Sequence, residues 1–499
     1  MLKVEIRNLV YKLCEGREVP LLVTDMIAEL LVHQDLFNIN TLSRTLNAQA
    51  NAIIYRDVVI DLDGSERSVK RVSLLFRTLL ISKTASRAVN TLSLAGDPLQ
   101  DWRSRILDVA RHEGIETPLQ GRAPPGIRAD FSNFTTEEIE FYGHVAALSA
   151  TSKGPRTNVR FIWAVWLYIF RLMPNIQDFS VSSDYFRFPG FRSILQGMVR
   201  NGSIAKLRSC NLCLDLLSRD KRHPIVVEDW DSALLSLFEV PGIQSISVVA
   251  SVRAQAVRQL RLGATSITRL DLHHYQSHEV DLSSLLAATP CLKYLKYHVR
   301  CDYSWLGSSY HFDAIWVHDV GLEPLYDALH HVADSLEELH ISQDVEEDSC
   351  HWAMGIGLDH EPLYGRTAKL SGLKRLQALT IPFLALLGCK RETYVYDWNT
   401  ILPSSLRRIV LNDNLTEDCE NEEWTDEDLM PIFSTLVEWL SITRRGDQIA
   451  EFGLHLAQLD DEFNEPARQE LAYICEERGV RCSIEKSVAD FHKRQESPV

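Results

Sequence analysis

The side chains best suited to chemistry are cysteines, histidines and aromatics that lie close together in sequence. Cys210 and Cys213 form a Cys-x-x-Cys pair. A zinc ribbon needs a second such pair at a defined distance, and none follows. Cys210 also falls on an apolar position of a recurring strand pattern, so it reads as a packed core thiol. His273-His274, His330-His331 and Cys350-His351 are the other candidates for metal ligation. No histidine or carboxylate accompanies them at a known ligand spacing, so no metal and no other cofactor is expected. Trp163, Trp166, Tyr168 and Phe170 could line a ligand box. A run that is apolar on nearly every side is better explained as a helix buried between a sheet and its neighbours.

Catalytic motifs are missing. The chain has no phosphate-binding GxxxxGK[ST] loop, no GxGxxG, no GxSxG and no HExxH, and it is not expected to be an enzyme. The formal net charge of −16 comes without a basic domain or stripe, which argues against nucleic acid as a partner. Ten cysteines are scattered along 499 residues, as reduced thiols are. Lys3, Glu5 and Arg7 break any secretory core at the start. The most apolar stretch, 161–170, is about half the ~20 residues a membrane span needs. These features predict a protein of the cytoplasm or nucleus, with no membrane partner.

The elements that would position any site come from a repeat. Three segments leave an apolar helical stretch, pass a proline and become strand-like: Pro174 to Val181, Pro241 to Val248, and Pro290 to Tyr297. In each, apolar or aromatic residues stand two, five and seven places after the proline. The same apolar-x-x-apolar-x-apolar core recurs at 89–94, 207–212, 267–272, 336–341, 376–381 and 406–411. In a chain with 45% hydrophobic residues the core alone recurs often by chance. The preceding helix, the proline in phase and the ordered spacing lift it above that background. Spacings run from about 24 to 44 residues, as in a solenoid with insertions. The fold class expected is therefore α/β: a solenoid with parallel strands on one face and helices on the other. One unit cannot close a core, so neighbours must stack.

Alternate strand residues face opposite ways. If the pattern residues point inward, the residues between them line the concave face: Arg269, Asp271 and His273; then Tyr294, Lys296 and His298; then Glu338, His340 and Ser342. With strands about 4.8 Å apart, Asp271 is predicted beside Lys296, and His273 beside His298. This polar, mixed-charge surface suits a protein or peptide partner; a merely solvated sheet face is the other reading.

Residues 20–56 read as a helical unit. Thr24 caps a helix with Met26, Ile27, Leu30 and Leu31 on one face; Asp35 caps a second through Leu36, Ile39, Leu42 and Leu46; a third runs over 48–54. Tyr55 to Leu62 then turns strand-like ahead of Asp63-Gly64. The segments Leu22 to Leu31, Asp35 to Arg44 and Ile54 to Ile60 resemble the start of the fungal F-box family, whose members carry degenerate leucine-rich-repeat-like strands behind these helices. The strand after Gly479 is similar too. The resemblance implies an F-box module docked on a Skp-type adaptor, and through it on a cullin-type ubiquitin ligase, with the repeats presenting a protein substrate. By position, the adaptor-binding residues would be Leu22, Val23, Met26, Ile27, Leu30, Leu36 and Ile39. Val23 stands where the family has proline. The alternative is a scaffold whose N-terminal helices only cap the solenoid.

The expected organisation is a helical module over 1–56 and an irregular leucine-rich-repeat-like solenoid over 57–415, with insertions near 97–158 and 343–370. An acidic loop with a capping helix and strand follows over 416–485, then a frayed tail over 486–499. The acidic run from Glu417 to Asp428 reads as a solvated loop. The last helix is predicted to begin at Pro466 and stop at Gly479, ahead of a strand over 480–484.

Overall fold

A strand that is apolar at every second position has one side to hide, and repeated strands hide it by stacking side by side. The computed structural model follows this rule. It describes residues 54–62, 82–96, 172–181, 204–212, 240–250, 266–275, 282–301, 323–345, 369–387, 396–412, 426–443, 449–456 and 463–486, with isolated positions at 75, 78, 79, 170, 198, 199, 202, 237 and 238. The described residues form an α/β protein in two units, residues 1–229 with 239–243, and residues 230–238 with 244–499.

The first unit carries β1 (Asp57–Leu62), β2 (Thr91–Gly96), β3 (Asp178–Val181) and β4 (Ser209–Asn211). Each pairs in parallel with the next. The register sets Val58, Leu92, Phe179 and Cys210 in one buried row, and Ile60, Leu94 and Val181 in another. Phe170 meets Phe179 edge to face at 5.0 Å, so the one described residue of the aromatic cluster is core. Between β1 and β2 runs α1 (Lys83–Ala88), whose first turn is capped by the Ser82 hydroxyl accepting from the Ala85 N–H.

The second unit carries β5 (Ser245–Ala250), β6 (Arg269–Tyr275), β7 (Tyr294–Cys301), β8 (Glu338–Val345), β9 (Ala378–Pro382), β10 (Arg408–Asn412), β11 (Glu451–Leu456) and β12 (Arg481–Lys486). They too pair in parallel, in chain order. One row reads Ile246, Leu270, Leu295, Leu339, Leu379, Ile409 and Phe452; the next reads Val248, Leu272, Tyr297, Ile341, Ile381, Leu411 and Leu454. All are buried. Every pattern residue of the nine segments predicted as strands is buried as well, including the leading positions Ile176, Ile267, Leu336 and Leu406.

The strand starts are satisfied almost entirely by backbone. The Gln244 carbonyl accepts from the N–H groups of both Thr268 and Arg269; the Thr268 carbonyl does the same for Lys293 and Tyr294. The Lys293, Glu337 and Gln377 carbonyls continue the series, and Arg56, Asn90 and Gln177 repeat it in the first unit. Buried polar backbone must be paired, and this repeated fork does so with almost no side-chain help.

Among the described residues the second unit has the α-helices α2 (Leu282–Ala287), α3 (Glu323–Ala328), α4 (Phe383–Leu387), α5 (Trp398–Ile401), α6 (Asp426–Thr443) and α7 (Glu465–Glu477). Helix α2 packs against α3, and α7 against both α6 and β12. Indole donors tie α5 to α6: Trp398 Nε1–H to Thr435, and Trp439 Nε1–H to Asn399.

The region past 415 differs from expectation. It holds α6 and β11 in addition to the final helix and strand, and the strand ladder runs on to Lys486. Asp426, Glu427 and Asp428, read as loop, open α6, where acidic groups favour a helix N-terminus. Pro431 in its second turn disguises that helix, since proline reads as a stop. Gly453 disguises β11 in the same way. The final helix runs from Glu465, capped by Asn464, and Gly479 behind it has a φ of 65°. The insertion over 97–158 lies outside the described residues, as does 346–368 of the second one.

Candidate functional site

The face of β6, β7 and β8 opposite the buried rows carries eight of the nine residues predicted from alternation, Arg269, Asp271, His273, Tyr294, Lys296, His298, Glu338 and His340; the ninth, Ser342, is buried. Register pairs Arg269 with Tyr294 and Glu338, Asp271 with Lys296 and His340, and His273 with His298 and Ser342. The two side-by-side pairings expected, Asp271 with Lys296 and His273 with His298, are those found. None of the eight is in the core.

The patch is internally organised. The Arg269 guanidinium donates toward the Asp271 carboxylate at 3.4 Å and stacks 3.7 Å from the centre of the Tyr294 ring. His273 and His298 lie with ring centres 5.2 Å apart. His298 Nδ1 and the Ser342 hydroxyl are hydrogen-bonded at 2.8 Å, which draws Ser342 deeper than its alternation suggests. The second carboxylate oxygen of Asp271, Oδ1, is buried without a hydrogen-bond partner. A buried acceptor in that state is costly.

Electrostatics follow from this crowding. Burial raises the Asp271 carboxyl above its ordinary value, opposed by the positive charges of Arg269 and Lys296. Burial also raises the Tyr294 phenol, with Asp271 adding to the effect. His340 is pushed down to about 4, first by burial and then by Lys296, His298, His455 and Arg408 around it. It is therefore neutral at pH 7 amid cations, a hydrogen-bonding group and not a charge.

Arg408 and His455 were not in the expected patch. Arg408 sits two places after Leu406, the position that Arg269 holds after Ile267, so alternation could have found it. His455 lies on the strand that Gly453 disguises. The residues named for an adaptor, Leu22, Val23, Met26, Ile27, Leu30, Leu36 and Ile39, lie outside the described residues. Among the described residues no group of three or more His, Cys, Asp or Glu is placed to hold a metal ion. His330 and His331 lie with ring centres 3.8 Å apart and planes tilted by 39°, and His331 is hydrogen-bonded to the Ser283 hydroxyl. Among the described residues no helix is long and apolar enough to cross a membrane. No protein-family profile, curated protein or solved structure matches the chain.

Proposed function

We propose that this chain is a non-catalytic recruiting subunit: a leucine-rich-repeat-like solenoid that holds a protein substrate, joined through an F-box-like module at residues 1–56 to a Skp-type adaptor and a cullin-type ubiquitin ligase. One observation carries the binding half of this reading. Eight polar and aromatic side chains from three adjacent strands are aligned on one face. These side chains are exposed or half-buried and offer hydrogen-bonding groups to a peptide, and Tyr294 supplies the aromatic surface that protein interfaces favour.

The ligase half rests on the resemblance of residues 22–60. The full chain is to be co-purified with a Skp-type adaptor, beside an Ile27→Asp, Leu30→Asp double variant. Retention of the adaptor by the natural chain and its loss from the double variant is the expected result. A folded natural chain that retains no adaptor would overturn the ligase role and leave the capped scaffold, since any solenoid end needs cover.

A further inference from the structure

Independently of that reading, the last helix and the last strand carry two thiols that meet. Helix α7 ends in a tight reversal: the Val480 N–H bonds to the Cys475 carbonyl at 2.9 Å, and the Gly479 N–H to the Glu476 carbonyl at 3.0 Å. Gly479 takes the left-handed conformation that the reversal needs. β12 then runs back along the helix it has just left. Cys475, on the inward side of α7, is fully buried. Cys482 stands opposite Phe452 in the row otherwise filled by isoleucine, leucine and phenylalanine. Both thiols thus face the seam where α7 packs on β12. Cys482 remains half-buried because β12 ends the ladder.

The pair is asymmetric. Interaction with Cys475 holds the Cys482 thiol below its ordinary range and pushes Cys475 up, with burial adding to the rise. A partly exposed thiol that forms its thiolate more readily, across one helix–strand seam from a buried thiol, is the arrangement of an attacking and a resolving cysteine. Hydrophobic burial alone does not account for it, since an aliphatic residue at 482 would continue the row.

We propose that Cys475 and Cys482 are a reversible redox site, in which Cys482 reacts with a low-molecular-weight disulfide and Cys475 completes a bond between α7 and β12. With glutathione disulfide, the Cys482 thiolate attacks one sulfur, the glutathione S–S bond breaks, and one glutathione leaves as thiolate and takes up a proton. Cys475, deprotonated, then attacks the Cys482 sulfur of the mixed disulfide and expels the second glutathione, which is protonated in turn. Two protein thiols are oxidised and one glutathione disulfide is reduced to two thiols. The product ties the edge strand to its capping helix. An edge strand has a neighbour on one side only and opens most easily, so the bond acts where the ladder is least secured.

The test uses the full-length chain equilibrated in glutathione buffers of graded oxidation, trapped by alkylation, and read by peptide mass spectrometry and hydrogen exchange. The expected product is a 475–482 disulfide, two hydrogens lighter than the dithiol, with exchange of the β12 amides slowed by about ten-fold. Cys475→Ala should stop at a single glutathione adduct on Cys482, and Cys482→Ser should leave Cys475 unmodified. Cys482→Ser sits at a half-buried position and keeps a folded variant in the comparison if the Cys475 variant unfolds. A stable glutathione adduct on Cys482 in the natural chain would overturn the proposal. So would two unreacted thiols under conditions that modify the exposed Cys291.

Discussion

Arg269 bridges two strands: its guanidinium stacks 3.7 Å from the Tyr294 ring centre on β7 while pairing with Asp271 on its own strand at 3.4 Å. Its removal should loosen both neighbours. Arg269→Gln is expected to cost about 0.5–1 kcal/mol, the worth of a cation–π contact at a partly exposed site, read from urea unfolding. The same change should raise the Asp271 carboxyl further, because a cation that lowers it is gone. Carboxyl-carbon NMR titration checks the direction.

Acid should weaken the second unit through His340. Folded, His340 titrates near 4; unfolded histidine titrates near 6.5. On acidification the unfolded chain takes up the proton first. The stabilisation is thus fully present above about pH 6.5 and is lost as pH falls toward 4, on the order of 2 kcal/mol for this half-buried group. His340→Gln should flatten unfolding free energy against pH across that window, and an unchanged slope would remove His340 as its source.

Gly453 makes room for Val410. A Cβ placed on Gly453 would meet Val410 Cγ2 at 3.0 Å and Ser483 Oγ at 3.3 Å. Val410 is buried and β-branched, so it has few ways to yield. Gly453→Ala is expected to cost about 1–2 kcal/mol by overpacking. Adding Val410→Ala should recover part of this loss in a double-mutant cycle, whereas additive losses would place the strain elsewhere.

Cys210 should behave as core. It is 1% exposed in the row formed with Phe179, and burial pushes its thiol well above the ordinary range. In the folded chain it is expected to resist alkylation at pH 8 while Cys291 reacts. Cys210→Ser should lower stability by about 1–3 kcal/mol, since an unpaired hydroxyl in an apolar site is penalised, and thermal unfolding would register the loss.

The strand rows were legible in the sequence because a strand buried on one side must repeat apolar residues at fixed intervals. From Ile267, Leu270 and Leu272 through Leu406, Ile409 and Leu411 the pattern residues are those that are buried. The same alternation placed Asp271 beside Lys296 and His273 beside His298, since parallel strands with matched starts leave no other register. The sequence by itself therefore determined which residues face in and which face out across β6 to β8, except at Ser342, which is buried and hydrogen-bonded to His298. It did not determine α6 or β11, whose signals Pro431 and Gly453 interrupt; only packing against α7, and Val410 over Gly453, shows that both elements form. Nor could spacing bring His455 to bear on His340, because that takes the stacking of a strand the sequence did not reveal. The meeting of Cys475 with Cys482 was likewise decided by the tertiary structure. Seven residues of sequence separation specify no contact until a left-handed Gly479 turns the strand back along its helix.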